Sequence, residues 1–208
     1  MSFTLSKLAI GSPSQNSVFS RMTMTDSNAP AFHLPDAIAL LRRTPASLDA
    51  LLRGLPALWV RGTEGPDPWS AYDIVGHLIY TEHASWIPRI RHILDHGESV
   101  PLPPFDRAGH FARNRGQSLD QLLDEFAQAR AESLTALETL GLTPAEFERR
   151  GLHPRLGSIT LGSVVATWPV HDLNHLHQLS RVMARQYAAP VGPWASFVGA
   201  LQCDAHGA

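Results

Sequence analysis

Residues 160–187 read TLGSVVATWPVHDLNHLHQLSRVMARQY, and the reading of this stretch decides the rest. Val164, Trp168, His171, His175 and Val182 recur at three- and four-residue steps or their multiples, which places them on one face of a long helix opened by Thr160. His171 and His175, four residues apart, stand one above the other on that face. Val164, Trp168, Gln178 and Val182 share the stripe, so both imidazoles point toward the interior of whatever the helix packs against. A buried polar group without a partner costs ~1–3 kcal/mol. The pair is therefore either hydrogen-bonded or ligated.

The same period runs through the chain before it. From Pro35 onward Ile38, Leu41, Leu48, Leu51, Leu52 and Leu55 share one helical face, broken at Thr44-Pro45, which reads as an N-cap and first-turn proline where helix one kinks or restarts. Ser70 and Asp73 form a capping box opening a second helix through Ile74, Leu78, Trp86, Ile90, Ile93 and Leu94, kinked at Pro88 and stopped at Gly97. A proline-rich loop over residues 100–104 leads through a polar stretch to Ser118, which with Gln121 caps a third helix. That helix turns Leu122, Phe126, Ala129, Leu134, Leu137 and Leu140 inward and ends at Gly141. Thr143-Pro144-Ala145-Glu146 starts a short extra turn; residues 151–158 read as an irregular loop and 190–194 as a turn before a short C-terminal helix. Four long amphipathic segments, with no strand alternation and no repeat, predict an all-α four-helix bundle over residues 31–208, with long crossover connections and short extra helices.

Composition narrows the function. At 208 residues and 44% hydrophobic the chain buries a core of its own. Its 17 lysines and arginines are scattered and the net charge is −2, which argues against nucleic acid, whose phosphates demand clustered positive charge. No apolar run approaches the ~18 residues of a membrane helix. One cysteine, Cys203, excludes an internal disulfide and a cysteine-cluster metal site and fits a reducing cytoplasm. Residues 1–30, rich in Ser, Thr and Asn, read as a flexible N-terminal arm without a secretory signal; Met22 and Met24 offer alternative starts.

Histidine is the outlying count, at 11. His77, among Ile74, Leu78 and Tyr80, is interior by periodicity on the second helix. With His171 and His175 it makes three imidazoles from two facing helices, a divalent-metal site with coordination positions left open for water or substrate. Such a set suits zinc, nickel, copper and iron alike. His153, in a loop, is a pocket candidate, and Gln178, one turn past His175, a contact to bound water or ligand. Asp73 reads as a helix cap and Asp172 as an acceptor for a ligating ring. His177 and His83 face away, His92, His96 and His110 fall at a helix end or in a loop, His33 and His206 near the termini; Trp86, Trp168 and Trp194 read as core or interface packing.

Trp69-Ser70 followed by Gly76-His77-Leu78 and Glu82, then residues 157–161, His171-Asp172-Leu173-Asn174-His175 with Gln178, and finally Gln186-Tyr187 and Val191-Gly192-Pro193-Trp194, resemble in order and spacing the DinB-like superfamily of metal-binding four-helix bundles. The resemblance covers residues 35–201. It implies one nonsimple crossover, a homodimer, and a nickel or zinc ion on His77, His171 and His175. Characterised relatives include metal-dependent transferases of low-molecular-weight thiols such as bacillithiol or mycothiol, and a maleylpyruvate isomerase.

The expectation is a metal-dependent enzyme, foremost a low-molecular-weight-thiol S-transferase acting on an electrophilic small molecule, with the thiol as cofactor. No catalytic residue stands out. A metal-dependent hydrolase or isomerase, and a noncatalytic metal- or ligand-binding helical module, stay open beside it.

Overall fold

The computed structural model describes residues 32–65 and 69–203. The N-terminal arm expected over residues 1–30, with Met22 and Met24, and His206 lie outside them. Among the described residues no helix is long and apolar enough to cross a membrane.

The first rod is broken as its proline demands, into α1 (Leu34–Leu41) and α2 (Thr44–Leu52), followed by the short α3 (Ala57–Arg61). The second begins at the capping box: Ser70 Oγ accepts from the Asp73 amide and the Asp73 carboxylate accepts from the Ser70 amide at 2.9 Å. It runs as α4 (Ala71–Thr81), widens into a π-turn (Glu82–Trp86) and continues as α5 (Ile87–His96). Pro88, where a kink was expected, lacks the N–H that a regular helix would offer the Ala84 carbonyl, and the turn before it is a π-turn. α6 (Gly109–Arg113) precedes α7 (Leu119–Thr139), capped by Ser118 and Gln121 as expected and released at Gly141, whose φ of +57° suits glycine. After α8 (Pro144–Phe147), α9 (Leu161–Arg185) is the longest rod; α10 (Ala188–Val191), a 3₁₀ stretch (Gly192–Phe197) and α11 (Gly199–Gln202) finish the chain, where a turn and one helix were expected.

α4 packs on α7 and α9, α1 and α5 on α9, and α2 on α7. Two apolar clusters result. One centres on Leu48, Ile74, Leu78, Phe126, Leu179 and Val182, the other on Leu41, Trp86, Ile90, Leu134, Val165 and Trp168. Each rod crosses from one cluster to the other, and at each crossing stands a buried polar residue: Thr44, Glu82, Arg130 and Asp172. Arg130 donates to both Asp172 oxygens, at 2.6 and 3.0 Å, and to Glu82 Oε1 at 2.8 Å. Thr44 Oγ1 donates to Asp172 at 2.6 Å and Trp168 Nε1 to Glu82 at 3.0 Å. A polar layer thus ties all four rods together. Thr44 is consequently no N-cap: it lies inside the helix and spends its hydroxyl on this layer.

Two further expectations are corrected. Residues 151–158 are not an irregular loop but belong to an antiparallel hairpin, β1 (Arg150–His153) and β2 (Gly157–Thr160), with Gly151 opposite Ile159. Leu51 is exposed on its helix. Trp194, expected in core or interface packing, is 72% exposed and therefore not in the core. The proline-rich loop is pinned to the hairpin by Leu102 N donating to the Leu152 carbonyl at 2.8 Å.

Candidate metal centre

α4 supplies His77 and α9 supplies His171 and His175, and their Nε2 atoms converge. His171 Nε2 lies 3.3 Å from that of His77 and 3.1 Å from that of His175, and the three ligand atoms all fall within 4.8 Å of one another. A metal with nitrogen ligands at 2.0–2.1 Å in tetrahedral array has ligand edges of about 3.3 Å, and the two edges at His171 match it. The tautomer of His175 agrees. Gln178 Oε1 lies 2.8 Å from His175 Nδ1 and, as an acceptor, fixes the proton there, leaving His175 Nε2 with its lone pair toward the centre. Without a cation, the single Nε2–H of His171 would have to be shared between two acceptors; a cation at the common point satisfies all three nitrogens. The residues fit a divalent metal.

Their electrostatics agree as well. Burial, with the neighbouring imidazoles adding to it, pushes His77 down to about 2; burial, then His175, Arg130 and Arg89, push His171 down to about 3. His175 is lowered by burial against the opposing pulls of Gln178 and Asp172. All three rings are neutral near pH 7, the form that ligates.

Gln178, expected to contact bound water or ligand, is thus hydrogen-bonded to one of the three clustered histidines. Loss of such an outer hydrogen bond costs about 10- to 100-fold in metal affinity. A Gln178→Leu protein should weaken zinc by that factor in a competition titration against a chromogenic chelator, with its helical circular dichroism unchanged.

Asp172, expected beside a ligand ring, is instead turned into the polar layer, fully buried on Arg130 and Thr44. Asp73 caps its helix, as expected. Trp86 and Trp168 are core: they stack on each other at 5.5 Å, and Trp86 also packs edge-on to His171 at 5.2 Å. His83 and His177 are exposed.

Two neighbours went unread in the sequence. Trp69 packs over the cluster, its ring 4.6 Å from His77 and 6.0 Å from His175, nearly parallel to the latter. His110, expected in a loop, is fully buried on α6, 5.5 Å from His77 and 4.7 Å from Trp69. α6 can approach α4 this closely because residue 76 is glycine: a Cβ there would meet Asn114 Nδ2 at 1.6 Å. No periodic signal marks His110, since its helix is five residues long.

The imidazoles form one wall of a cavity of about 480 Å³. Trp86 and Phe105 add aromatic surface, Thr81, Ser85, Thr167 and Asn174 neutral polar groups, and Arg89, Arg107 and Arg155 positive charge. The hairpin brings His153 to the same cavity. His153 Nδ1 accepts from the amides of Arg155 and Leu156, both at 3.2 Å, so its neutral ring carries the proton on Nε2. No carboxylate and no thiol lines the cavity among the described residues, and Cys203 lies elsewhere, its sulfur on the Gly199 carbonyl.

A sequence profile of the DinB superfamily matches residues 40–179. Among solved structures, YfiT from Bacillus subtilis, described as a probable metal-dependent hydrolase with an unusual four-helix bundle topology, superposes with a TM-score of 0.60 at 21% identity, over 74% of this chain and 90% of that one. No curated protein matches the chain.

Proposed function

The chain belongs to the DinB superfamily, and from that premise we propose that it is a metal-dependent enzyme, a low-molecular-weight-thiol S-transferase that joins a thiol cofactor to an electrophilic small molecule. The observation that supports this reading is the converging three-histidine set at the wall of a cavity without carboxylate or cysteine. His77, His171 and His175 would hold a zinc or nickel ion. Such an ion supplies an open positive centre that lowers the pKa of an incoming thiol, so that the thiolate exists near neutral pH. Among the described residues the cavity has no thiol to act as nucleophile and no carboxylate to act as general base, which agrees with a sulfur that arrives with the cofactor. Gln178 holds His175 in its ligating tautomer, Trp69 shields the cluster on one side, and His153 is positioned to donate a hydrogen bond from Nε2. A cavity of this volume is of the size that takes a small molecule. A homodimer, and action on free small molecules in the cytoplasm, complete the reading.

Hydrolysis is the second reading, favoured by the likeness to YfiT and its printed description. Zinc- or nickel-loaded protein mixed with bacillithiol, mycothiol, glutathione or cysteine and a chromogenic aryl halide distinguishes the two. Thiol-dependent product formation, lost on chelation, is expected. Turnover of activated esters with no dependence on any thiol would replace the transferase by the hydrolase.

A further inference from the structure

Several of the arginines sit on carboxylates, whereas those of the cavity above the histidines do not. Arg42 is held by Glu138, Arg53 by Asp49 and Asp124, Arg113 by Glu125, Arg181 by Glu64 and Arg130 by Glu82 and Asp172. Even the larger surface hollow of about 630 Å³ beside α2 and α7 keeps its arginines on those carboxylates. Arg89, Arg107 and Arg155 line the histidine cavity with no carboxylate in its lining, and none of the three has an ion pair among the described residues. The nearest acid in sequence, Asp106, spends an oxygen on the Ala108 amide at 2.9 Å.

Arg89 is the informative one. Arg107 and Arg155 are exposed and by themselves would be ordinary solvated cations, but Arg89 is half-buried on α5, with its guanidinium 5.7 Å from the Phe105 ring and no acceptor among the described side chains. Burial also works against its charge. Taking a guanidinium partly out of water without an anion is costly, and its planar fork is shaped for two-pronged contact with carboxylate or phosphate oxygens. The three cations come from different segments, Arg89 from α5, Arg107 from the loop before α6 and Arg155 from the hairpin turn, so the fold, not one basic run, assembles them. The net charge of the whole chain is −2, so the positive cavity runs against the overall sign.

We infer that the molecule bound over the three histidines is a small dianion, carrying two carboxylates or one phosphate, gripped by Arg89 inside the cavity and steered by Arg107 and Arg155 at its mouth. This rests on and deepens the metal-enzyme reading by naming a substrate class. His153, held as an Nε2 donor beside these cations, supplies a neutral hydrogen bond to the same anion.

Calorimetric titration of zinc-loaded protein at low salt with succinate, inorganic phosphate and the neutral analogue succinamide tests it. Succinate or phosphate is expected to bind at least tenfold more tightly than succinamide, the tighter of the two naming the oxyanion. Arg89→Gln should weaken that anion by about tenfold or more, as loss of charge-assisted hydrogen bonds does, while Arg89→Lys keeps part of the affinity and Arg42→Gln, a cation outside the cavity, all of it. Equal binding of the three probes, or anion binding indifferent to Arg89→Gln, overturns the inference. Zinc content read on the same samples separates the failures: intact zinc with no anion preference sinks the dianion alone, and anion binding by protein that takes up no zinc sinks the metal reading alone.

Discussion

A protein carrying His171→Ala and His175→Ala, purified without a histidine tag, is expected to contain no zinc or nickel by elemental analysis, where the parent holds close to one ion per chain. The binding free energy of a four-ligand structural zinc site is about 10–16 kcal/mol, roughly 3 kcal/mol per ligand, and each such ligand lost is about a hundredfold in affinity. Two losses remove about ten-thousandfold and leave a single imidazole. His77→Ala, on the other rod, should reproduce most of the loss, because the geometry gives the three nitrogens one common point. Helical circular dichroism checks that the variants fold. Equal metal in parent and both variants would mean that the rings pack without ligating.

The convergence of the three histidines was legible in the sequence because helices translate spacing directly into position. His171 and His175 four residues apart, and His77 within a run of apolar residues, need only the helical period to be placed on interior faces. Features that depend on tertiary approach were not. His110 reaches the cluster through a five-residue helix seated against Gly76, and nothing local announces that contact. The hairpin's strands are four residues each, too short for alternation to stand out. Gln178 was read on the right face, but its hydrogen bond to the ring of His175, three residues before it, at 2.8 Å, was not.

The polar layer was visible and passed over. Leu122, Phe126, Arg130 and Leu134 are spaced by four, so the stripe that buries three apolar side chains must also bury a guanidinium. Asp172, likewise, sits between Trp168 and His175 on α9's buried side, and could be assigned to a histidine only while Arg130 was overlooked. Its hydrogen bonds to Arg130 and Thr44 tie α9 to the other rods one residue from His171.

That anchorage sets the second large effect. Arg130→Met should destabilise the protein by about 3–5 kcal/mol, because it leaves Glu82 and Asp172 buried without their cation; for a chain of this size that is a fall in Tm of about 6–20 °C. Burial already pushes the Glu82 carboxyl upward, with Arg130 the main force opposing it, and Arg130 itself is raised because the two carboxylates outweigh its own desolvation. Removing the guanidinium therefore strips Glu82 of what keeps it charged. Neutralising the remainder should restore the loss: in Arg130→Met/Glu82→Gln/Asp172→Asn the amide oxygens still accept from Trp168 Nε1 and Thr44 Oγ1, no charge stays buried, and most of the Tm should return. Thermal melts of the parent, single and triple variants check this. A single variant that melts within a degree or two of the parent would show that the layer contributes little, and a triple variant no better than the single would show that the cost is lost packing of the long Arg130 side chain rather than uncompensated charge.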